Sequence, residues 1–495
     1  MVDEMVLKLY NSLTNSLEEF KPVHEGLVRM YNCGPTVYSF AHIGNFRSFI
    51  VIDVLRRFLE YSGMKVQQVV NITDVGHLTG DDDTGEDKLE VSAKKEQKHP
   101  LEIAQYYTDA FLRDWKNLRL EEPEFRPKAT ETIPEMIALV QELLKKGHAY
   151  EAGGNIYYDI TTFPDYGKLS GNSLDKLTKH RVDEDPNKRN PHDFVLWFGN
   201  SKFKNHILKW DSPWGEGYPG WHIECSSMSA KLLTDAFKGG SFNPDKFETI
   251  DIHSGGEDNK FPHHECEIAQ TEGATGKKFS NYWLHVRHLM SEGEKMSKSL
   301  GNFYYVNDLL EEGYSWRAIR YLLISTQYNL SLNFTKDGLV ASQKAIDRID
   351  EVLKRLDSVR ATVDYNEPLA TEISSMKLSI EKEMENDLNV SGALGAIFEA
   401  IKEINKALDA NTVGEHQAKE ILNRFFEVEK IFGFFPKEDV FKEEELPQEI
   451  LDVLEERRVA REEKNWVKSD ELRDLLKEKG YLVVDSKNGQ ECKKV

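Results

Sequence analysis

Residues 27–72 restrict the fold more than any other stretch of this 495-residue chain. Leu27 to Tyr31 (LVRMY) is a largely apolar run of strand length, and Asn32-Cys33-Gly34-Pro35-Thr36-Val37-Tyr38 carries the turn formers of a loop. Phe46, Phe49, Ile50, Val54, Phe58 and Leu59 then recur at three- and four-residue intervals, the period of a helix with one buried face, and Gly63 stops it. Val66 to Ile72 is a second strand. Strand, helix, strand at this spacing is a βαβ unit, which requires two parallel strands joined by a crossover. Open parallel sheets bind ligands outside the carboxyl ends of their strands. Cys33, His42 and Thr73 all fall at such ends. No GxGxxG follows the first strand, which counts against a dinucleotide oxidoreductase.

A second stretch, Asp251 to Glu267 (DIHSGGEDNKFPHHECE), concentrates metal-type side chains. Asp251, Ile252 and His253 close a strand-like run that starts at Phe247. Gly255 and Gly256 are expected to turn the chain and to let backbone approach a ligand closely. Pro262 suits the first turn of a helix. His263 and Glu267, four apart, then share one helical face and supply two zinc-type donors. Further donors have to come from elsewhere, and the only cysteines are Cys33, Cys225, Cys266 and Cys492. Cys33 at its strand end and Cys225 in Trp221-His222-Ile223-Glu224-Cys225 would complete two thiolates, an imidazole and a carboxylate on one divalent ion. Cys266, three residues after His263, competes with Glu267 for that face, and a plain solvated polar face is the alternative reading of the same residues.

Four cysteines without paired spacing point to a reducing compartment rather than a disulfide framework. No apolar run reaches the ~18 residues of a membrane span, and the acidic start MVDEMVLKLY lacks the basic n-region of a signal peptide. A cytoplasmic protein with no membrane contact is expected, working as a monomer. The net charge of −21 argues against nucleic acid, yet residues 457–495 hold 11 Lys plus Arg against 8 Asp plus Glu. A local basic surface matters more for phosphate contacts than the global sum.

Residues 121–220 read as an insertion with its own small sheet, including the alternating Asn155 to Thr161, after which Trp221 to Cys225 is expected to return the chain to the parallel sheet and a helix from Ser226 to Ala236 to follow. Glu294 to Asn302 (EKMSKSLGN) has two lysines three apart among small hydroxyl residues, the composition of a mobile loop that clamps phosphates. From Gly338 to about Phe434 the pattern is helical throughout. A basic helix from Arg457 to Lys479 and a strand at Tyr481 to Val484 follow. Asp81 to Asp87 is an acidic loop without EF-hand spacing.

Two motifs stand together on the two halves of this parallel fold: His42-Ile43-Gly44-Asn45 and Lys295-Met296-Ser297-Lys298-Ser299. As a pair they resemble the signatures of class I aminoacyl-tRNA synthetases. With CGPTVY (Cys33 to Tyr38), WHIECS (Trp221 to Ser226), GGEDNKFPHHECE and KMSKSLGN, the chain is similar to the cysteinyl-tRNA synthetase family over nearly its whole length. The resemblance implies a doubly wound, Rossmann-type α/β catalytic domain in residues 1–120 and 221–290 with a connective insertion in 121–220. It further implies a KMSKS and stem-contact region in 291–345, an all-α bundle in 346–440 and a small α+β anticodon-binding segment in 441–495. The implied reaction activates L-cysteine with ATP, as its Mg²⁺ complex, and transfers the cysteinyl group to tRNA(Cys). His42, Asn45, Lys295 and Lys298 would be catalytic, and His42, Gly44, Asn45, Gly255, Gly256 and Lys298 would bind ATP. Thr73, Trp221 and His253 would line the cysteine pocket, and Cys33, Cys225, His263 and Glu267 would hold one zinc per chain that selects thiolate against serine. An enzyme that passes the cysteinyl group to an amino sugar shares the catalytic half, and a non-catalytic zinc protein that binds RNA is the reading from another class. Asn45 departs from the family's usual histidine and cannot carry positive charge.

Overall fold

The structure, a computed structural model, describes residues 6–75, 88–96, 98–172, 185–199, 207–296, 302–435, 447–486 and 489–494. The chain divides into two units, Met1–Phe435 and Pro436–Val495. Among the described residues no helix is long and apolar enough to cross a membrane.

At the centre of the larger unit lies a four-stranded parallel sheet in the order Ser280–Val286, Ile250–Gly256, Leu27–Asn32, Lys65–Val70. The chain lays down Leu27–Asn32, adds Lys65–Val70 on one side, and later returns to the other side with Ile250–Gly256. The winding reverses between Leu27–Asn32 and Ile250–Gly256, and at that switch point a doubly wound sheet leaves its ligand crevice. The expected βαβ unit is present. Helix Ile43–Tyr61 opens on a reciprocal cap, in which His42 Nδ1 accepts the Asn45 N–H and Asn45 Oδ1 accepts the His42 N–H. Its Phe46, Ile50, Val54 and Phe58 are fully or almost fully buried.

Three local expectations differ from the structure. Trp221 to Cys225 does not return the chain to the parallel sheet but opens helix Trp221–Leu233, so the helix expected from Ser226 starts five residues earlier. His222 through Ala230 are all buried, so no polar face marks the helical period. Gly255 and Gly256 do not turn the chain; they end the strand Ile250–Gly256, paired with His285 and Val286. A Cβ on Gly255 would sit 2.6 Å from Asn259 Nδ2 and 3.0 Å from the His264 ring, so a larger residue there would displace the Asn259 side chain and crowd His264. The basic helix expected over 457–479 is two helices, Gln448–Glu462 and Trp466–Glu478, broken where Lys464 takes φ 59° and Asn465 caps the second through the Lys468 N–H.

Helix Ile133–Lys146 ends on left-handed Gly147 and leads into an antiparallel sheet of Ala149–Ala152, Asn155–Tyr158, Phe194–Phe198 and Tyr218–Pro219. The Tyr158 hydroxyl donates to the Ala269 carbonyl, tying this sheet to helix His263–Thr275. Tyr31 and Val69 from the parallel sheet meet Ile223, Met228 and Ile268 in the same apolar cluster. Helices Lys336–Asp357, Glu367–Glu385, Val390–Asp409 and Glu415–Phe432 follow. In the smaller unit, two helices and the hairpin Tyr481–Ser486 and Gly489–Lys494 enclose Ile450, Leu454, Leu476, Tyr481 and Val483.

Candidate active site and metal centre

A cavity of about 470 Å³ opens at the switch point. Cys33, His42, Gly44, Asn45, Thr73, Trp221, Cys225, Gly256 and His263 line it. His253, Gly255 and Glu267 are buried. Lys295 is placed on the short strand Glu294–Lys295, paired with Met290. Lys298 and the acidic loop Asp81 to Asp87 lie outside the described residues. The two signature motifs meet directly. The Ile43 N–H donates to the Tyr304 carbonyl at 3.0 Å, and the Phe303 ring stands edge-on to His42. A Cβ on Gly44 would lie 2.7 Å from Met296 Cε and 3.0 Å from the His42 ring, so a side chain there would push the methionine of the second motif aside.

Beside the cavity four donors converge. Cys33 Sγ and Cys225 Sγ are 3.9 Å apart, His263 Nε2 is 3.1 Å from Glu267 Oε1, and Glu267 Oε1 is 3.9 Å from Cys33 Sγ. All four ligand atoms lie within 4.8 Å of one another. Tetrahedral zinc bonds of 2.0–2.3 Å need ligand separations of about 3.3–3.8 Å, so small movements would close this set on an ion. A second group of four, Cys33, His253, His264 and Glu267, shares two of these residues. Cys266 belongs to neither. Its Sγ is 3.4 Å from the Tyr166 hydroxyl, because one residue's rotation of about 100° carries it off the face shared by His263 and Glu267.

Burial pushes the Cys33 thiol well up, helped by Cys225 and Glu267, and burial also raises Cys225 and the Glu267 carboxyl. Burial drives His253 down to about 3, and holds His264 well below the usual range together with His253, His285 and His263. Every one of these shifts favours a neutral group. A divalent cation reverses that preference for thiols and carboxylates, so the donor set fits such an ion.

Four polar residues not singled out from the sequence complete the surroundings. Asn71 Nδ2 donates to the Thr73 hydroxyl, which donates to Glu224 Oε2 at 2.9 Å. His264 Nε2 is 3.2 Å from Cys33 Sγ, and its Nδ1 is 2.8 Å from His285 Nε2. The doubled histidine of HHECE was a visible signal for His264, whereas nothing in YWLHV marks His285. Trp221 lies flat on the His263 ring, with centroids 4.2 Å apart.

The family model described as tRNA synthetases class I (C) catalytic domain matches residues 19–344. A DALR domain matches 379–436, and a cysteinyl-tRNA ligase anticodon binding domain matches 443–492. The chain is 42% identical to the cysteine–tRNA ligase of Chlorobaculum tepidum over 98% of each chain. It is also 42% identical to that of Treponema denticola, over 99% of this chain and all of the relative. Among solved structures, Mycobacterium tuberculosis methionyl-tRNA synthetase in complex with methionyl-adenylate shares the fold with a TM-score of 0.60 at 14% identity, over 82% of this chain and 92% of that one. The chain belongs to the cysteinyl-tRNA ligase family of class I aminoacyl-tRNA synthetases.

Proposed function

We propose that this ligase activates L-cysteine with ATP at the cavity, charges tRNA(Cys), and selects its amino acid with zinc held by Cys33, Cys225, His263 and Glu267. Zinc bound there supplies a Lewis acid that prefers sulfur to a neutral hydroxyl, which separates cysteine from the slightly smaller serine without editing. Trp221 fixes the plane of the His263 ring, and His253 Nε2, 2.9 Å from Glu267 Oε2, fixes the carboxylate. Thr73 gives its proton to Glu224 and accepts from Asn71, which leaves one lone pair for the substrate ammonium.

In the first step the cysteine carboxylate attacks the α-phosphorus of ATP. The bond to the bridging oxygen breaks, and negative charge collects on the departing pyrophosphate. His42, the helix start at Gly44, and the lysines Lys295 and Lys298 are assigned to that charge, with Mg²⁺ entering on ATP. Gly255 and Gly256 are assigned to the nucleotide side. Asn45 Oδ1 is spent on the His42 N–H, so its contribution is an uncharged amide donor. In the second step a terminal ribose hydroxyl of the tRNA attacks the cysteinyl carbonyl and AMP leaves.

The match of residues 443–492 to an anticodon-binding domain favours tRNA over an amino sugar as acceptor. Trp466, 56% exposed at the start of helix Trp466–Glu478, is the proposed stacking surface for an unpaired base. A cytoplasmic monomer completes the reading.

One observation carries it: two sulfurs, an imidazole and a carboxylate converge beside a cavity that also contains the His42–Asn45 motif. The test is cysteine-dependent ATP–pyrophosphate exchange, with serine as competitor, before and after zinc chelation. Exchange should fall by roughly 100-fold or more on chelation and return with zinc, the scale of losing a first-order metal contribution. Exchange that survives verified zinc loss overturns the metal role, and no exchange from zinc-loaded protein overturns the site assignment.

A further inference from the structure

Three buried histidines surround the proposed metal centre, and their hydrogen bonds form a pattern with one consistent solution. His253 Nε2 is 2.9 Å from Glu267 Oε2, His285 Nε2 is 2.8 Å from His264 Nδ1, and His264 Nε2 is 3.2 Å from Cys33 Sγ. Two ring nitrogens, Nδ1 of His253 and Nδ1 of His285, are buried with no hydrogen-bond partner among the described residues. The His253 ring is stacked on Trp283 and flanked by Tyr31 and Phe279.

A neutral imidazole carries one proton, so one nitrogen donates and the other accepts. Buried N–H groups without an acceptor are rare, whereas a bare acceptor is tolerated more readily. The unpartnered Nδ1 atoms are therefore the bare nitrogens, and His253 and His285 carry their protons on Nε2. His253 then donates to the Glu267 carboxylate. His285 donates to His264 Nδ1, which makes that atom an acceptor and leaves the His264 proton on Nε2, facing Cys33 Sγ. The opposite direction, with His264 donating from Nδ1, would strand a proton on the buried His285 Nδ1. It would also set the bare His264 Nε2 against the lone pairs of a Cys33 thiolate.

We propose that His285 and His264 form a two-imidazole relay that fixes an N–H···S hydrogen bond on Cys33, which makes both of them positioning residues for thiol selection. This rests on the zinc reading above. A protonated ring nitrogen has no lone pair to coordinate, so the relay removes His253 and His264 from the ligand set and leaves Cys33, Cys225, His263 and Glu267. The two donated bonds draw charge out of Cys33 and Glu267. An ion whose ligands donate less keeps more acidity for the incoming cysteine thiol.

The direct test is ring-nitrogen NMR on the zinc-loaded full chain with ¹⁵N-labelled histidine. His253, His264 and His285 should all show protonated Nε2 and bare Nδ1. A proton on His264 Nδ1, or a metal-shifted His264 Nε2, overturns the relay. A second test uses His285→Phe in the cobalt-substituted protein. Cobalt stoichiometry should hold, the sulfur-to-cobalt charge-transfer band should move to lower energy, and KM for cysteine should rise roughly tenfold with little change in KM for ATP, the scale of losing an outer-sphere partner. An unmoved band, or an equal rise in both KM values, overturns the proposal. Wild-type protein that binds no zinc would defeat the functional reading itself, while the tautomers of the three rings stay measurable and decide the relay separately.

Discussion

Two buried clusters of ionisable groups sit in the larger unit, and they solve the same problem in opposite ways. Where helix Ile43–Tyr61 meets helices Trp316–Ile324 and Glu415–Phe432, Asp53 is nearly inaccessible. It accepts from Arg57 Nε at 2.7 Å and from the Glu121 N–H at 2.7 Å, and it pairs with fully buried Arg320. Arg320 also donates to the Phe432 and Leu118 carbonyls. Burial pushes the Asp53 carboxyl up, but Arg320 and Arg57 outweigh it and hold the group below the usual carboxylate range. At the candidate metal centre burial likewise pushes Cys33, Cys225 and Glu267 up, and there it prevails. One cluster contains its own cation and is structural. The other gathers donors that burial keeps neutral and has no cation of its own, and in the proposed reading a divalent ion completes it.

The most disruptive way to break that contrast is to remove the built-in cation. Arg320→Met leaves the Asp53 charge buried with Arg57 as its remaining ionic partner and orphans two backbone carbonyls. The expected loss is about 3–5 kcal/mol, the cost of breaking a buried pair from one side. Urea unfolding of the zinc-loaded protein measures it. A loss under ~1 kcal/mol would show that Arg57 alone satisfies Asp53, which would make the junction resemble an ordinary surface pair.

Glu429 sharpens the contrast because it lies beside the junction yet behaves partly like the metal centre. Its Oε2 accepts the Phe434 and Phe435 N–H groups at 3.1 and 2.8 Å. Burial raises the carboxyl to about 7, against the opposing pull of the Phe435 N–H, Arg320 and Arg57. The unfolded chain releases this proton near 4.3. Between those values the folded state holds the extra proton, so this contribution is complete below about pH 4 and is lost as pH rises through 7. The loss is of order 3–4 kcal/mol. Glu429→Gln keeps an oxygen for the two N–H groups and removes the titration. Its stability relative to wild type should therefore rise between pH 5 and pH 8. A difference that stays flat would mean that Arg320 and Arg57 keep Glu429 ionised.

The same contrast explains what the sequence discloses. The convergence of Cys33, Cys225, His263 and Glu267 was legible because these are rare residue types: four cysteines and the HHECE cluster leave few combinations. The junction was invisible as a whole: Asp53 and Arg57 show as an i,i+4 pair on one helix, but nothing in the spacing reveals that Arg320 and Glu429 join them. The βαβ unit was legible from the apolar period of Phe46 to Leu59. Helix Trp221–Leu233 was legible only from Ser226 onward; its first turn was not, because burial on all sides erases the period that identifies a helix. His285 shows the limit most clearly. It alternates like any strand residue in YWLHV, and only the pairing of Gly255 with His285 brings that strand alongside the one leading to the site.

The smallest effect expected is also the most discriminating. Cys33→Ser removes a donor that is neutral without metal, so in the presence of a chelator wild type and variant should unfold within about 1 kcal/mol of each other. With zinc present they should separate, because an ion that binds only the folded chain stabilises it by about 2.7 kcal/mol at a hundred times its Kd. Zinc content and cysteine affinity should fall together in the variant. Stoichiometric zinc in Cys33→Ser would disprove the ligand set. A large stability loss under chelation would show that Cys33 stabilises the fold by itself, as the Arg320–Asp53 pair does, and the distinction between a self-sufficient cluster and one completed by an ion would not hold.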